Sequence, residues 1–220
     1  MQLVRDSRKR RCSAASPSSW RREHVDSMKT RTGFALLLRL EDRMSARRRQ
    51  GDLPIIRSLL AVHPGGRLLD LGGGTGALAA VFASDGARSA VLEPNPRKIA
   101  FGRSRHERVE FVEGHAERIP YPDESLDCVI AMLSLHHMED PERAFREVRR
   151  VLRPSARFLL EEFYPASAPG ALARRLFGRR HGGHHRIYEP EELKAALTAT
   201  GFRNLVVRDG KRTYYVLAVR

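Results

Sequence analysis

The sequence predicts an α/β fold: a doubly wound, Rossmann-like and mostly parallel sheet of seven strands, the last one antiparallel, with helices on both faces. Three observations carry that expectation. Strand-like and helix-like runs alternate from residue 67 onward, the pattern of a parallel sheet joined by helical crossovers. A strand runs into Gly72-Gly73-Gly74-Thr75-Gly76 and then into a helical run, the punctuation of a ligand loop at a helix start. The last two strands are joined by Asp209-Gly210-Lys211, a hairpin-length link, so the final strand must turn back on its neighbour.

Residues 1–29 read as a basic, disordered arm. From Arg5 to Arg22 they are rich in arginine and serine, with only Asp6 acidic before Glu23. Such a stretch fits a transit peptide or an unstructured leader equally, and Met28 and Met44 are alternative starts. Residues 30–220 form one folded domain that opens with helices over 30–63. The first, Thr30 to Gln50, has an apolar side of Phe34, Leu37 and Leu38. Gly51-Asp52 breaks it, Pro54 sits at a first-turn position, and Ile55, Ile56, Leu59 and Leu60 form the face of the second helix. His63-Pro64-Gly65-Gly66 stops that helix. Strands are expected at Arg67–Leu71, Ser89–Glu93, Val109–Glu113, Leu126–Met132, Arg157–Phe163, Arg203–Arg208 and Thr213–Val219. Helices are expected at Ala77–Ser84, Pro96–Arg103, Pro141–Leu152 and Pro190–Thr200, with only a short link after Glu117. The segment 165–188 has no clear period and reads as a lid-like insertion.

A chain of 220 residues with 41% hydrophobic and 30% charged residues can bury a full core. Its unusual feature is charge: 40 basic against 26 acidic residues leave a formal +14. That balance invites a nucleic-acid partner, but the distribution argues against one. Residues 1–50 hold 14 basic and 5 acidic side chains, so most of the excess lies ahead of residue 51. The arm fits a peripheral contact with an anionic membrane surface. Two cysteines, Cys12 and Cys128, support neither a disulfide framework nor a zinc site. No apolar run approaches the ~18 residues of a membrane span, and a cytoplasmic location is expected.

The glycine loop marks the candidate site. Without Cβ atoms a ligand can lie against the backbone, facing helix N–H groups. Gly72, Gly74 and Ala77 also satisfy the dinucleotide pattern, so the loop alone does not name the ligand. The next strand ends at Glu93, 21 residues after Gly72, where a carboxylate can accept both ribose hydroxyls of an adenosine. Asp70 discriminates among adenosine cofactors. It puts a carboxylate where a dinucleotide pyrophosphate would lie, and two anions in a poorly solvated cleft repel by several kcal/mol. A cofactor carrying an ammonium and a sulfonium is attracted instead.

At these residues the chain resembles the class I S-adenosylmethionine-dependent methyltransferases, whose first motif reads much like Leu69-Asp70-Leu71-Gly72-Gly73-Gly74-Thr75-Gly76. Val112-Glu113-Gly114-His115-Ala116-Glu117-Arg118-Ile119-Pro120-Tyr121, Ser125–Ile130, Leu135-His136-His137-Met138 and Arg150–Pro154 resemble later segments in the same order. The resemblance covers roughly residues 50–163 and continues more weakly to the end. The branch most resembled is the small-molecule one that includes ubiquinone and menaquinone biosynthesis enzymes. It implies S-adenosyl-L-methionine as cofactor, its methionine end held by Asp70, Gly72, Gly74 and Gly76 and its ribose by Glu93. It further implies residues 115–117, with His115 and Ala116, at the adenine edge, and the Leu133 backbone near the methionine part. Where the family usually has aspartate this chain has His115, which accepts through one nitrogen only when neutral. Either Glu117 substitutes or the adenine pocket differs.

The expected reaction is in-line methyl transfer to oxygen or carbon of a small, apolar or aromatic acceptor. Such an acceptor benefits from a base. His136 and His137 follow the fourth strand at the carboxyl edge of the sheet, and His137 is the candidate, although Leu-His-His also suits a helix start. His181, His184 and His185 read as a polar loop, and no metal is expected. Tyr164, Phe177 and Tyr188 fall where a substrate cap would sit, as packing more than contact, and Cys128 as a buried filler. Three rivals stand beside this reading: an RNA methyltransferase using the basic arm, an NAD-dependent oxidoreductase, and a non-catalytic methyltransferase-like binding protein. The first lacks an Asn/Asp-Pro-Pro-Tyr/Phe segment, since that place reads Ala131-Met132-Leu133-Ser134. Asp70 argues against the second, and His115 is the third's only support.

Overall fold

The computed structural model describes residues 51–165 and 187–220, together with 36, 38–40, 42 and 43. The arm 1–29, most of the helix expected over 30–50, and the insertion 165–188 apart from Pro165, Ile187 and Tyr188 lie outside the described residues, as do Phe177, His181, His184 and His185. The chain divides into two compact units, Met1–Arg39 and Leu40–Arg220. In the first only 36, 38 and 39 are described, all helical.

Seven strands form one sheet: β1 Arg67–Leu71, β2 Arg88–Glu93, β3 Val109–Glu113, β4 Leu126–Met132, β5 Leu152–Phe163, β6 Arg203–Asp209 and β7 Thr213–Val219. Their order is β3-β2-β1-β4-β5-β7-β6. The first five pair in parallel. β7 is antiparallel to both β5 and β6, inserted between them. β1, β2 and β4 are buried almost throughout, as expected of strands covered on both faces. β6 alternates exposed and half-buried residues and carries Arg203, Arg208 and Asp209 along the open edge, where charge discourages further pairing.

The helices are α1 over 51–60, α2 Ala77–Ser84, α3 Pro96–Arg103, α4 Pro141–Val151 and α5 Pro190–Ala199, with a 3₁₀ turn at Leu135–His137. Three of them start alike, with proline at the first helical position, where its missing N–H costs nothing. Asn95 accepts from Arg97 N (3.0 Å) at α3 and Asp140 from Arg143 N (2.9 Å) at α4. Glu189 and Glu192 form a reciprocal capping box at α5. One face of the sheet is covered by α1 and α2 through Ile56, Leu60, Leu78 and Phe82, and α3 adds Ile99 against Val91 and Phe111. The other face is covered by α4 and α5 through Phe145, Val148, Leu193 and Leu197.

Some boundaries differ from expectation for local reasons. Ile55 is exposed; α1 packs through Ile56 and Leu60, four residues apart and so on one stripe. β5 begins at Leu152 because Leu152 already pairs with Leu126. The next partners are Cys128 and Arg157, so residues 153–156 bulge out, and Ser155 takes a φ of 64°. No helix joins β3 to β4. That link is pinned by Arg150, which donates to the carbonyls of Tyr121 (2.9 Å) and Ile119 (2.9 Å), and by Glu147, which accepts from Ile119 N (2.9 Å).

α3 meets the sheet at Gly102. A Cβ there would stand 2.4 Å from the Phe111 ring and 2.8 Å from the Thr75 carbonyl oxygen. The expected result of Gly102→Ala is a loss of about 1–3 kcal/mol of unfolding free energy, the usual cost of overpacking, read by urea denaturation. An unchanged midpoint would show that α3 shifts freely.

Candidate functional site

The sheet reverses its winding between β1 and β4, and in open α/β sheets ligands bind where the loops leaving such strands diverge. A cleft of about 580 Å³ opens at that point. It is walled by residues 72–75, Glu93–Asn95, Lys98, 114–117 and 132–134 with His137–Glu139. Gly72, at φ 65°, lies where its Cβ would be 2.7 Å from Ser134 Cβ, so only glycine lets the two loops approach. Ser134 Oγ ties them further by donating to the Leu71 carbonyl (2.8 Å), and Gly72 N–H holds the glycine loop to β2 by donating to the Leu92 carbonyl (2.8 Å).

Glu93 organises the floor. Only 6% exposed, it accepts Gly74 N–H through Oε2 (3.1 Å) and Asn95 N–H through Oε1 (3.0 Å). Each carboxylate oxygen has further lone-pair capacity, so the pair can take two hydroxyls of a ribose while holding both loops. Asp70, 1% exposed, lies beneath the glycine loop. A Cβ on Gly73 would fall 2.6 Å from its carboxylate. Its carboxyl group thus sits just behind the cleft wall. Gly76 also lies off the wall: it starts α2 at φ 80°, and a Cβ there would meet the Phe111 ring at 2.6 Å. The remaining expected cofactor residues, Gly72, Gly74, Glu93, His115, Ala116 and Leu133, all line the cleft. Glu117 lines it too, but its Oε1 accepts Glu139 N–H (2.9 Å) and Asp140 N–H (3.2 Å), anchoring the start of α4.

Beyond β4 the chain turns sharply. Leu133 adopts φ 55°, a left-handed conformation that costs a non-glycine residue roughly 1–2 kcal/mol, and its N–H donates to the Glu161 carbonyl (2.8 Å). The 3₁₀ turn follows and carries two adjacent imidazoles, one of which reaches the cleft. His137 is on the wall. His136 packs against it with the rings tilted by 51° and their centres 4.1 Å apart, and reaches Glu162, with Nδ1 3.1 Å from each carboxylate oxygen. Glu162 is fully buried and also accepts Phe163 N–H (2.8 Å). A carboxylate only accepts, so Nδ1 carries the hydrogen and Nε2 is left as the acceptor of a neutral His136.

The aromatic groups nearby divide by role. Tyr188 is buried in the α4/α5 core, and the Tyr214 hydroxyl donates to its carbonyl (2.7 Å). Burial, then the Glu162 charge, push the Tyr214 hydroxyl well above the usual phenol range. The Tyr164 hydroxyl bonds the Asp209 carboxylate, and that bond holds its pKa up to about 12. Cys128 is buried mid-strand, and burial, then the Asp127 charge, push its thiol to about 12, so it is no nucleophile. Nothing in the sequence singles out Glu162, nor Asp42, whose buried carboxylate accepts Thr75 Oγ1–H (2.6 Å) behind the glycine loop. Among the described residues no cluster of three His, Cys, Asp or Glu could hold a metal. Nor, among them, is any helix long and apolar enough to cross a membrane.

Comparison with known proteins agrees with this geometry. The methyltransferase-domain family model matches residues 69–160. The ubiquinone/menaquinone biosynthesis C-methyltransferase of Cronobacter sakazakii is 30% identical over 173 residues, 66% of this chain and 69% of that protein. Its counterpart from Hahella chejuensis is 34% identical over 117 residues, 49% of this chain and 47% of that protein. The chain therefore spans about half the length of the Hahella relative and of others like it. Solved structures share the fold. YcgJ of Bacillus subtilis superposes with a TM-score of 0.66 at 19% identity, covering 78% of this chain and 98% of that one. A methyltransferase from Mesorhizobium loti gives 0.64 at 21%, covering 76% and 96%. The chain belongs to the class I S-adenosylmethionine-dependent methyltransferases. Within that class it resembles the ubiquinone/menaquinone biosynthesis C-methyltransferases.

Proposed function

We propose that the protein methylates a small, apolar or aromatic molecule at oxygen or carbon, with S-adenosylmethionine as donor. The observation that carries this reading is the cleft at the β1/β4 switch point, floored by Glu93 and bordered by His137, whose neighbour His136 is held by the buried Glu162. The residues fit the cofactor. Glu93 offers two oxygens to a ribose, the glycine loop leaves room for the chain, and Asp70 and Glu93 place negative charge against a cation. When bound, S-adenosylmethionine supplies an already activated methyl group on a sulfonium. The protein's task is to align the acceptor and exclude water, effects worth up to ~7–11 kcal/mol, and to take the proton the acceptor loses. We assign that proton to His136 Nε2, with Glu162 fixing the tautomer. A second reading gives it to His137, because that ring lines the cleft itself. The relatives' names favour carbon as the acceptor atom.

S-adenosylhomocysteine at about 100 times its Kd should stabilise the protein by about 2.7 kcal/mol, seen as a higher unfolding temperature, and NAD should not. Stabilisation by NAD alone overturns the reading. The acceptor is sought by incubating a metabolite extract with labelled S-adenosylmethionine. The expected result is a labelled product that is absent with Gly74→Arg, whose side chain would fill the cleft. Equal labelling with both proteins would place the chemistry elsewhere.

A further inference from the structure

We propose that the amino-terminal edge of the sheet, at the opposite end of the strands from the transfer cleft, holds a second site, for a small phosphorylated anion gripped by Arg67, Arg88 and Arg108. The three arginines come from three adjacent strands. Arg67 opens β1 and Arg88 opens β2, and the two stand opposite each other in the ladder. Arg108 immediately precedes β3, whose Val109 stands opposite Ser89, so Arg108 continues the row. Side chains alternate along a strand. All three therefore lie on the face that also carries Leu69, Ala90 and Glu110, on rungs about 4.8 Å apart.

Like charges on neighbouring rungs are destabilising, and the described residues do little to neutralise these. Arg67 donates to the Ser125 carbonyl at 3.4 Å. The side chains of Arg88 and Arg108 have no hydrogen bond or ion pair among the described residues. Asp127 is engaged by Arg153 and by the Arg67 backbone N–H (2.8 Å). The row borders a groove of about 380 Å³ whose walls include Ala90, Leu126, Tyr121 and a single carboxylate, Glu110. Three guanidinium groups against one carboxylate leave a surplus of two positive charges, which suits a dianion. Arginine's planar fork matches phosphate oxygens bidentately. Burial, then Glu110, push the Tyr121 hydroxyl to about 12, so it remains a donor at neutral pH. The site does not depend on the transfer chemistry proposed above.

The test is calorimetric titration of the full chain with pyrophosphate at low salt, wild type against the pair Arg88→Ser with Arg108→Ser. The expected result is saturable binding with a Kd below about 1 mM, weakened roughly tenfold or more in the double variant, with S-adenosylhomocysteine affinity unchanged. Amide chemical-shift mapping on the wild type should move residues 67–68, 88–90 and 108–110 and leave 72–76 in place. The proposal is overturned by absence of saturation up to about 10 mM, by equal binding in the double variant, or by shifts centred on 72–76. Vesicles of phosphatidic acid in phosphatidylcholine and a single-stranded RNA serve as rival probes. Either one binding over about tenfold tighter than pyrophosphate, and lost in the same variant, would make this edge a surface for an extended polyanion and overturn the small-ligand reading.

Discussion

Glu93→Ala should weaken S-adenosylhomocysteine binding by about 100-fold or more. The side chain has two tasks. Its oxygens accept Gly74 N–H and Asn95 N–H, so it joins the glycine loop to the start of α3. The same oxygens face the position proposed for the ribose. Hydrogen bonds to a charged group contribute about 1.5–3 kcal/mol each, and losing two ribose bonds at the low end of that range gives about 100-fold. The two backbone donors, stranded in a site that is only 6% exposed, add to the loss by loosening the loop. Glu93→Gln should be nearly as damaging, because one end of an amide presents N–H where the backbone already presents N–H. Calorimetry measures the affinity and far-UV circular dichroism checks the fold. A well-folded Glu93→Ala protein binding within threefold of wild type would remove the residue from the cofactor site.

The parts of this site legible in the sequence are those that depend on neighbours in the chain. The glycine loop follows its strand directly, and Glu93 ends the next one, so local pattern alone places both in one crevice. Gly76 and Asp70 illustrate the limit: each belongs to the same motif, yet one packs on Phe111 and the other lies beneath Gly73, a distinction made by side-chain packing. Glu162 was not legible at all. It sits 26 residues from His136, in a strand whose own pattern points to no partner, and only the β4–β5 pairing brings them together. The hairpin link predicted an antiparallel β7, but link length says nothing about which side of β6 is free. Insertion of β7 beside β5 follows from seven paired residues, Arg157–Phe163 against Thr213–Val219, which no local pattern announces. The arginine row has the same origin: three separate strand starts become one feature through register.

His136→Ala should lower kcat by about 10²- to 10⁴-fold, the range for loss of a general base, while leaving S-adenosylhomocysteine affinity within about twofold. Both oxygens of Glu162 stand 3.1 Å from Nδ1, so the carboxylate fixes the ring and directs Nε2 away from itself. This is the arrangement of a base oriented by a third group. Glu162→Gln keeps the shape but can present N–H to Nδ1 and favour the opposite tautomer. It should also lower kcat, by less than His136→Ala, with KM for the acceptor little changed. His137 makes the contrasting prediction. Because its ring lines the cleft itself, His137→Ala should raise KM more than it lowers kcat. Added imidazole should restore part of the activity of a His136→Gly protein, a recovery that a merely structural histidine would not show. Full activity in Glu162→Gln together with collapse of kcat in His137→Ala would transfer the role of base to His137. It would leave the Glu162–His136 pair as a brace for the turn that carries it.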